Sequence, residues 1–419
     1  MNKNILSNII KSILVYTIAV TIVIDNRSIW MSNPNMGRID LYNYLLLVIC
    51  AIGLLIILVA NKRTMNIKRL LINTFFISIY FTVYLLLTKI NWFLGIRLIV
   101  IVILFMWIIN FDNFKKIPHI LLAYKNIIIM IAVVSMLFWL FGSLLGLIKA
   151  SSYFPSTWGN IYGEYNLVPS FYNLYFEPQK IILPLFGEIG RNSAIFTEGA
   201  MASLNFSLAL LIETVNQHSQ KSCKVILVLA IISTFSTTGY IFLVLLFFFS
   251  FFKNGSHVKI YKILLLIPLF IIAILVISYL LKQKSTYGLE STTVRTDDFK
   301  VGIYTWLQHP FLGSGLSNIT NLKQNMGLWR IYNTGFSNSI TEILAEGGIF
   351  LSFIYFYIFY KAWYKSFINR QFNSVIVITL TFYLFVTTIF TYQYVLISLL
   401  IWFANNKFSS GGNKWDNLI

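Results

Sequence analysis

Residues 225–252 read VILVLAIISTFSTTGYIFLVLLFFFSFF, and the number of times this stretch crosses a bilayer decides the fold. It is too long for one span and short for two, because a helix needs about 20 apolar residues to cross a hydrocarbon core. Ser236-Thr237-Thr238-Gly239 in its middle is a turn signal, so the stretch reads as two short spans joined by a tight turn. That choice sets the side on which every later loop lies. With one span there, Lys253, Lys259 and Lys262 would fall on the outer face.

Outward from this hairpin the chain is a series of apolar runs, near 9–24, 41–60, 70–88, 93–109, 121–148, 199–213, 262–281, 339–360, 374–390 and 392–404. With the hairpin they give about twelve candidate spans. Of 419 residues 58% are hydrophobic and 11% charged, which excludes a water-soluble globule. The net charge of +18 would suggest a nucleic-acid partner in a soluble protein. Here the basic residues fall in alternate connections: Lys3 and Lys11, then Lys62, Arg63, Lys68 and Arg69, then Lys115, Lys116 and Lys125, and onward to Lys407 and Lys414. The opposite connections between short gaps offer only Arg27, Arg38 and Lys89. By the positive-inside rule both termini are cytoplasmic, and no nucleic-acid partner is expected. The expected fold is therefore an all-α polytopic membrane protein, a single transmembrane domain over 1–419. Residues 1–24 resemble a signal peptide but lack a small-x-small cleavage pattern, so they read as an uncleaved first helix. Two cysteines, Cys50 and Cys223, assigned to an apolar run and a cytoplasmic loop, do not make a disulfide framework.

Two connections, 149–198 and 282–338, are much longer than the rest, and the same parity places both on the outer face. Loops of this length with little low complexity are usually functional. Of four histidines only His309 faces outward, so a histidine-rich metal site is not expected there. P-loop, GxSxG and glycine-rich dinucleotide motifs are lacking. Chemistry falls to Arg, Lys, Glu, Asp, Asn and hydroxyls.

Two concentrations stand out. Gly190-Arg191-Asn192-Ser193-Ala194-Ile195-Phe196-Thr197-Glu198-Gly199 closes the first long loop, with Thr197 expected to cap the next helix and Glu198 in its first turn. Such residues also suit a helix start and an interfacial anchor with no further role. The second long loop holds Arg295 with Asp297 and Asp298, then His309-Pro310-Phe311-Leu312-Gly313-Ser314-Gly315, and ends in Asn338-Ser339-Ile340-Thr341-Glu342 followed by Glu346-Gly347-Gly348. Ser339 and Glu342 have capping-box spacing. Asn338, Glu342 and Glu346 share one helical face, so two carboxylates descend into an apolar segment, where ionisable groups face a cavity or a partner. Both helices that follow the long loops direct free amides and a positive dipole end outward, which with arginines makes an anion site. A lipid-linked phosphate or diphosphate is the natural anion.

In order, these features are an Arg-x6-Glu stretch entering a helix, a Ser-Thr-Gly hairpin, an arginine in a second outer loop, an HPxxGxG turn, and an SN-x3-E-x4-GG helix start. The pattern resembles the O-antigen polymerase and ligase family over about residues 120–400. The resemblance implies a twelve-helix membrane glycosyltransferase of the bacterial cytoplasmic membrane, acting at its outer side on undecaprenyl-diphosphate-linked glycans. It implies membrane lipid and a chain-length regulator protein as further partners, and no cofactor. It makes Arg191 and Arg295 the expected diphosphate-binding arginines. Ligases of the family usually carry a histidine where Asn338 stands, so Asn338, taken as a substrate-binding residue, favours a polymerase of O-antigen or a related polysaccharide.

The mechanism expected on chemical grounds needs no metal: arginine charge stabilises the departing diphosphate, and a carboxylate takes the proton of the attacking sugar hydroxyl. Glu198 and Glu342 are the candidates, in that order. The competing readings are a ligase of the same family, a lipid-linked oligosaccharide flippase, and a glycan sensor or assembly protein without catalysis. A flippase would spread charge along a central cavity between short loops and show repeats, whereas here charge gathers in two one-sided loops.

Overall fold

The computed structural model describes residues 3–34, 38–60, 67–88, 92–112, 114, 116–158, 165–183, 187–252, 278, 289–330 and 335–405. Its first five helices are α1 (Lys3–Asp25), α2 (Ile39–Ala60), α3 (Ile67–Leu87), α4 (Trp92–Phe111) and α5 (His119–Phe138), the last extended by a π-helical turn over Trp139–Leu144. Then come α6 (Gly199–Val215), α7 (Lys221–Ser233), α8 (Thr237–Phe252), α9 (Leu289–Gln308), α10 (Ile319–Asn325), α11 (Ser339–Ile368), α12 (Phe372–Thr387) and α13 (Tyr394–Ala404). Each expected apolar run coincides with a helix except 262–281, of which only residue 278 is described; Lys253, Lys259 and Lys262 also lie outside the described residues.

Among the described residues six helices are long and apolar enough to cross a membrane, over Ile5–Asp25, Ile39–Ala60, Ile67–Leu87, Trp92–Phe111, His119–Leu144 and Ser339–Ile368. Gly199–Val215, Thr237–Ser250, Phe372–Thr387 and Tyr394–Ala404 are apolar but shorter. The protein is a mostly helical, polytopic membrane protein. Ile49, Ile56, Phe75, Phe76 and Leu86 are all more than 60% exposed on α2 and α3. Such a surface is suited to contact with lipid. The bundle closes around α6, almost wholly buried, whose Ala200, Ala202, Ser203, Ser207 and Ala209 let neighbouring helices approach closely. The hairpin at 225–252 does split in two, but the turn is Thr234–Ser236 and α8 already starts at Thr237, because Phe235 supplies the left-handed residue (φ 48°).

The first long loop corrects the all-α expectation. It folds into β1 (Ser152–Ser156), β2 (Asn166–Phe171) and β3 (Tyr175–Phe176), an antiparallel sheet in the order β1-β2-β3, followed by the hairpin β4 (Lys180–Leu183) and β5 (Gly187–Gly190). Phe154 pairs with Val168 on the inward face of β1 and β2, and Val168 joins Ile29 and Phe176 in a small buried cluster. Short alternating runs interrupted by Pro155 and Pro169 hid these strands from a reading tuned to helices.

In the second long loop the HPxxGxG turn is structural. Gly348 has φ 56° and ψ −158°, which breaks α11. The turn fills the break. Ser314 N donates to Ala345 O (2.8 Å) and Gly315 N to Glu346 O (2.9 Å), satisfying the last carbonyls of the first half. Pro310 O and Phe311 O accept from Ile349 N and Phe350 N (both 2.9 Å), satisfying the first amides of the second half. Broken backbone in a membrane protein survives only when its polar groups are met in this way. A Cβ at Gly348 would lie 2.6 Å from Gly313 N and from Phe311 O, and one at Gly313 (φ 70°) would lie 2.3 Å from Glu346 O.

Gly348→Ala should therefore lose about 3 kcal/mol, from the forbidden φ together with the backbone clash. The thermal unfolding midpoint in detergent is the measurement. Gly53→Ala on α2, whose new Cβ meets Leu14 at an ordinary 3.6 Å, should be neutral to slightly stabilising. Equal midpoints for the two variants would contradict the plugged-helix account.

Candidate functional site

The site is assembled from four chain segments that meet above the start of α6. Leaving α1 at Asp25, the chain turns through Arg27, a non-glycine residue at φ 56°. Ser28 then forms a β-bridge with Phe196, Ile29 N donates to Ile195 O (2.8 Å), and Thr197 N donates to Arg27 O (3.1 Å). These bonds lash the α1–α2 connection to the segment that leads into α6. Asn26 is turned inward, its Nδ2 on Asn205 Oδ1 at 2.8 Å, and Tyr124 donates to the same oxygen.

Arg191 is held by the tight turn between α7 and α8. Its Nε donates to Thr234 O (3.0 Å), Nη2 to Phe235 O (3.2 Å), and Nη1 to Gln179 Oε1 (3.0 Å). Gln179 Oε1 also accepts from Gly199 N, the first amide of α6. Three of the five guanidinium donors are thus committed to neutral acceptors, which fixes the planar fork while leaving its charge uncompensated. Asn192 next to it is tied to Ser233 through Nδ2 (2.8 Å) and N (3.1 Å). Burial pulls the Arg191 pKa below the ordinary arginine value; Glu198 opposes that shift, and the like charge of Arg295 adds to it. Glu198 and Arg295 therefore both act on Arg191, Arg295 from a distant part of the chain.

Glu198 is itself the N-cap residue of α6, with extended backbone (φ −158°) and no side-chain capping bond. Thr197 is not the cap, and the carboxylate of Glu198 is left for other use. At α11 the cap is Asn338, not Ser339: Asn338 Oδ1 accepts from Thr341 N (3.0 Å) and Thr341 Oγ1 (2.7 Å). Ser339 instead donates to Thr388 O and accepts from Phe390 N, pinning α11 to the α12–α13 connection. The buried Asn338 Nδ2 has no partner among the described residues. The expected face of Asn338, Glu342 and Glu346 survives because the break comes after it. Its two acids differ: Glu346 is buried and accepts from Tyr392 Oη (2.8 Å), whereas Glu342 is only half-buried and lies within the fields of Arg27 and Asp298.

Arg295 sits half-buried on α9, which lies so close to α11 that a Cβ at Gly302 would come 2.4 Å from Thr341 Cβ. Asp297 and Asp298 do not serve Arg295. Both pair with the buried Arg330, at 3.1 Å and 2.5 Å, and Arg330 also donates to Gly335 O. Arg330 is a structural clamp that fastens α9 to the end of the loop. Arg295 makes no hydrogen bond or ion pair among the described residues, and its charge acts on Arg191 and on Tyr383 of α12.

The structure thus brings Arg191, Arg295, Glu198 and Glu342 into one cluster, with Asn338 at the top of α11. It adds Arg27, whose charge acts on Glu342 and Glu198. Among the described residues none of these five charged side chains is in a contact ion pair. Elsewhere the protein ties its charges directly, as in Lys125–Glu213 (2.7 Å) and Arg330–Asp298. Charges held near one another without touching are suited to a polar ligand that enters between them. Sequence reading passed over Arg27 as one of three cations in the sparsely charged connections, and that sparseness was the available signal.

Residues 223–356 match the model of a family described as O-antigen ligase. The match supports membership of the O-antigen polymerase and ligase family. That family consists of membrane enzymes acting on lipid-linked glycans. The matched stretch runs from α7 into α11 and includes Arg295, Asn338, Glu342 and the plugged break. Arg27, Arg191 and Glu198 lie outside it and join it only through the tertiary structure. No curated protein matches the chain.

Proposed function

We propose that this protein is a polysaccharide polymerase, a metal-independent glycosyltransferase that joins oligosaccharide repeat units carried on undecaprenyl diphosphate into O-antigen or a related surface polymer. The observation that carries the reading is the cluster of Arg191 and Glu198 before α6, Arg295 in the first half of α9 and Glu342 in the first turn of α11. In the reaction a hydroxyl oxygen of the acceptor glycan attacks the anomeric carbon of the donor. The bond from that carbon to the diphosphate oxygen breaks, and the lipid diphosphate leaves with the electron pair. Arg191 and Arg295 stabilise the departing anion, and a carboxylate, Glu198 or Glu342, receives the hydroxyl proton. The positive-inside pattern supports an outer-side location for this chemistry, and the family resemblance supports the bacterial cytoplasmic membrane as its place.

Ligase activity, transfer of the finished glycan to another lipid, is the second reading within the family. Asn338 favours the polymerase, because its Oδ1 is spent on capping α11 and an amide cannot exchange a proton near neutral pH as a histidine can. The test uses a deletion strain. Surface glycan reduced to single repeat units is the expected result. Full-length polymer left on its lipid diphosphate would indicate a ligase, cytoplasmic build-up of the lipid-linked unit a flippase, and unchanged glycan a protein without catalytic function.

A further inference from the structure

The second long loop does not stay above the membrane-spanning helices. α11 is a candidate span that begins at Ser339, and Lys361, Lys365 and Arg370 flank its other end. At 1.5 Å per residue its break at Gly348 lies roughly 12 Å below Ser339, about a third of the way across a hydrocarbon core of about 30 Å. The HPxxGxG turn fills that break, so part of the loop reaches the same depth. α9 carries it there. Gly302 packs against Thr341, Pro310 O accepts from Ile349 N, and equal numbers of residues separate these contacts on the two helices, so α9 and α11 run side by side in one direction. The chain then returns along α9 through α10. Asn325 Nδ2 donates to Thr305 Oγ1 (2.9 Å), Gly327 N donates to Asp297 Oδ2 (3.3 Å), and Arg330 meets Asp297 and Asp298 in the first half of α9.

We infer that α9 and the HPxxGxG turn form a re-entrant hairpin that dips into the leaflet on the side where α11 begins, and that Phe299, Ile303, Leu307 and Phe311 contact the acyl chains of that leaflet. These four residues recur at every fourth position, and all are exposed, Leu307 and Phe311 to 61% and 74%. The stripe continues onto the neighbouring span. Phe311 O accepts from Phe350 N, which brings it to Ile349 and Phe353, exposed on the half of α11 that runs on across the membrane. From Val301 to Leu322 the sequence holds no Asp, Glu, Lys or Arg, whereas Glu290, Arg295, Asp297, Asp298 and Lys300 crowd the first half of α9. Charge thus ends where the descent begins. Trp306 Nε1 donates to Pro310 O (3.2 Å), so its indole N–H is satisfied within the hairpin. On α10 the exposed residues include Thr320, Lys323 and Gln324, so the hairpin has a polar side and an apolar side, and the α9 side is the one that matches lipid. Arg295, two turns before Gly302, comes to lie in the headgroup layer, at the level of lipid phosphates.

The hairpin does not rest on the glycosyl-transfer reading, and its test needs no turnover. The full chain carrying Cys50→Ala and Cys223→Ser is placed in nanodiscs of phosphatidylethanolamine and phosphatidylglycerol. A nitroxide is attached to single cysteines introduced by Lys300→Cys, Ile303→Cys, Leu307→Cys, Phe311→Cys and, as the lipid reference, Phe353→Cys. Collision rates are read with oxygen, which partitions into hydrocarbon, and with a water-soluble nickel chelate. Nickel collisions should fall about tenfold from position 300 to position 311, while oxygen collisions rise to the level at position 353. Nickel collisions at 307 and 311 as frequent as at 300 would show a loop in water, and infrequent collisions with both reagents would show a face covered by protein, such as a second copy of the chain. Either result overturns the inference. A label-free measurement stands beside it. Phe311→Asp should lower the thermal midpoint in nanodiscs by about 5 °C or more, because a carboxylate is costly in hydrocarbon. At a water-exposed position the same change is close to neutral, so an unchanged midpoint would also overturn the inference.

Discussion

Arg295→Ala should abolish chain extension while leaving the thermal midpoint unchanged, whereas Arg191→Ala should abolish it and lower the midpoint as well. The two arginines face the same proposed diphosphate but are held differently. Arg295 has no protein partner among the described residues, so its removal costs only the ligand contact. Arg191 also donates to Thr234 O, Phe235 O and Gln179 Oε1, and its loss leaves three acceptors unmet where the α7–α8 turn meets α6. A charge-assisted hydrogen bond contributes about 1.5–3 kcal/mol, so losing a bidentate grip slows transfer by roughly 10²-fold or more. Lysine should rescue neither variant well. It keeps the charge but not the planar fork, and at position 191 it cannot reach three divergent acceptors at once. Polymer of wild-type length in both Lys variants would show that charge alone is enough and would remove the bidentate grip. Rates are best read in single-turnover assays beside unfolding scans of the same preparations.

Glu342→Gln or Glu198→Gln, whichever replaces the base, should slow extension by roughly 10²-fold or more while binding the lipid-linked unit as wild type does. Glutamine keeps the volume and an acceptor oxygen but cannot take up the hydroxyl proton. Glu346→Gln serves as the comparison. Its partner Tyr392 Oη can donate to an amide oxygen as well as to a carboxylate, so this variant should keep most of the rate. If Glu346→Gln were the slow one and both others were normal, the proton would be moving along the Tyr392 side of α11, and the assignment of the two outer carboxylates would fail. If all three variants turned over normally, the departing diphosphate or water would be the proton acceptor. Binding and single-turnover extension measured on all three variants separate these outcomes.

The membrane-embedded helical nature of this protein is a property of its sequence alone, because apolar runs and hydrogen-bonded helices are local and lipid leaves a chain few other choices. The hairpin at 225–252 was legible for that reason, as was the shared face of two acids four residues apart on α11. Three things were not local. The strands of the first long loop depend on burying Phe154, Val168 and Phe176 against Ile29, a residue more than a hundred positions away. The HPxxGxG turn looked like a loop signature, and only the break at Gly348 shows that its amides and carbonyls complete another helix. Arg295 stood beside Asp297 and Asp298 in the sequence, yet the buried Arg330 takes both acids and leaves Arg295 to the site. Arg27 carries the same lesson furthest. No pattern in its own connection distinguishes it, and it reaches Glu198 and Glu342 because a β-bridge and backbone hydrogen bonds tie the end of α1 to the entry of α6. Charge position in a folded protein is set by such long-range backbone pairing, which spacing along the chain does not encode.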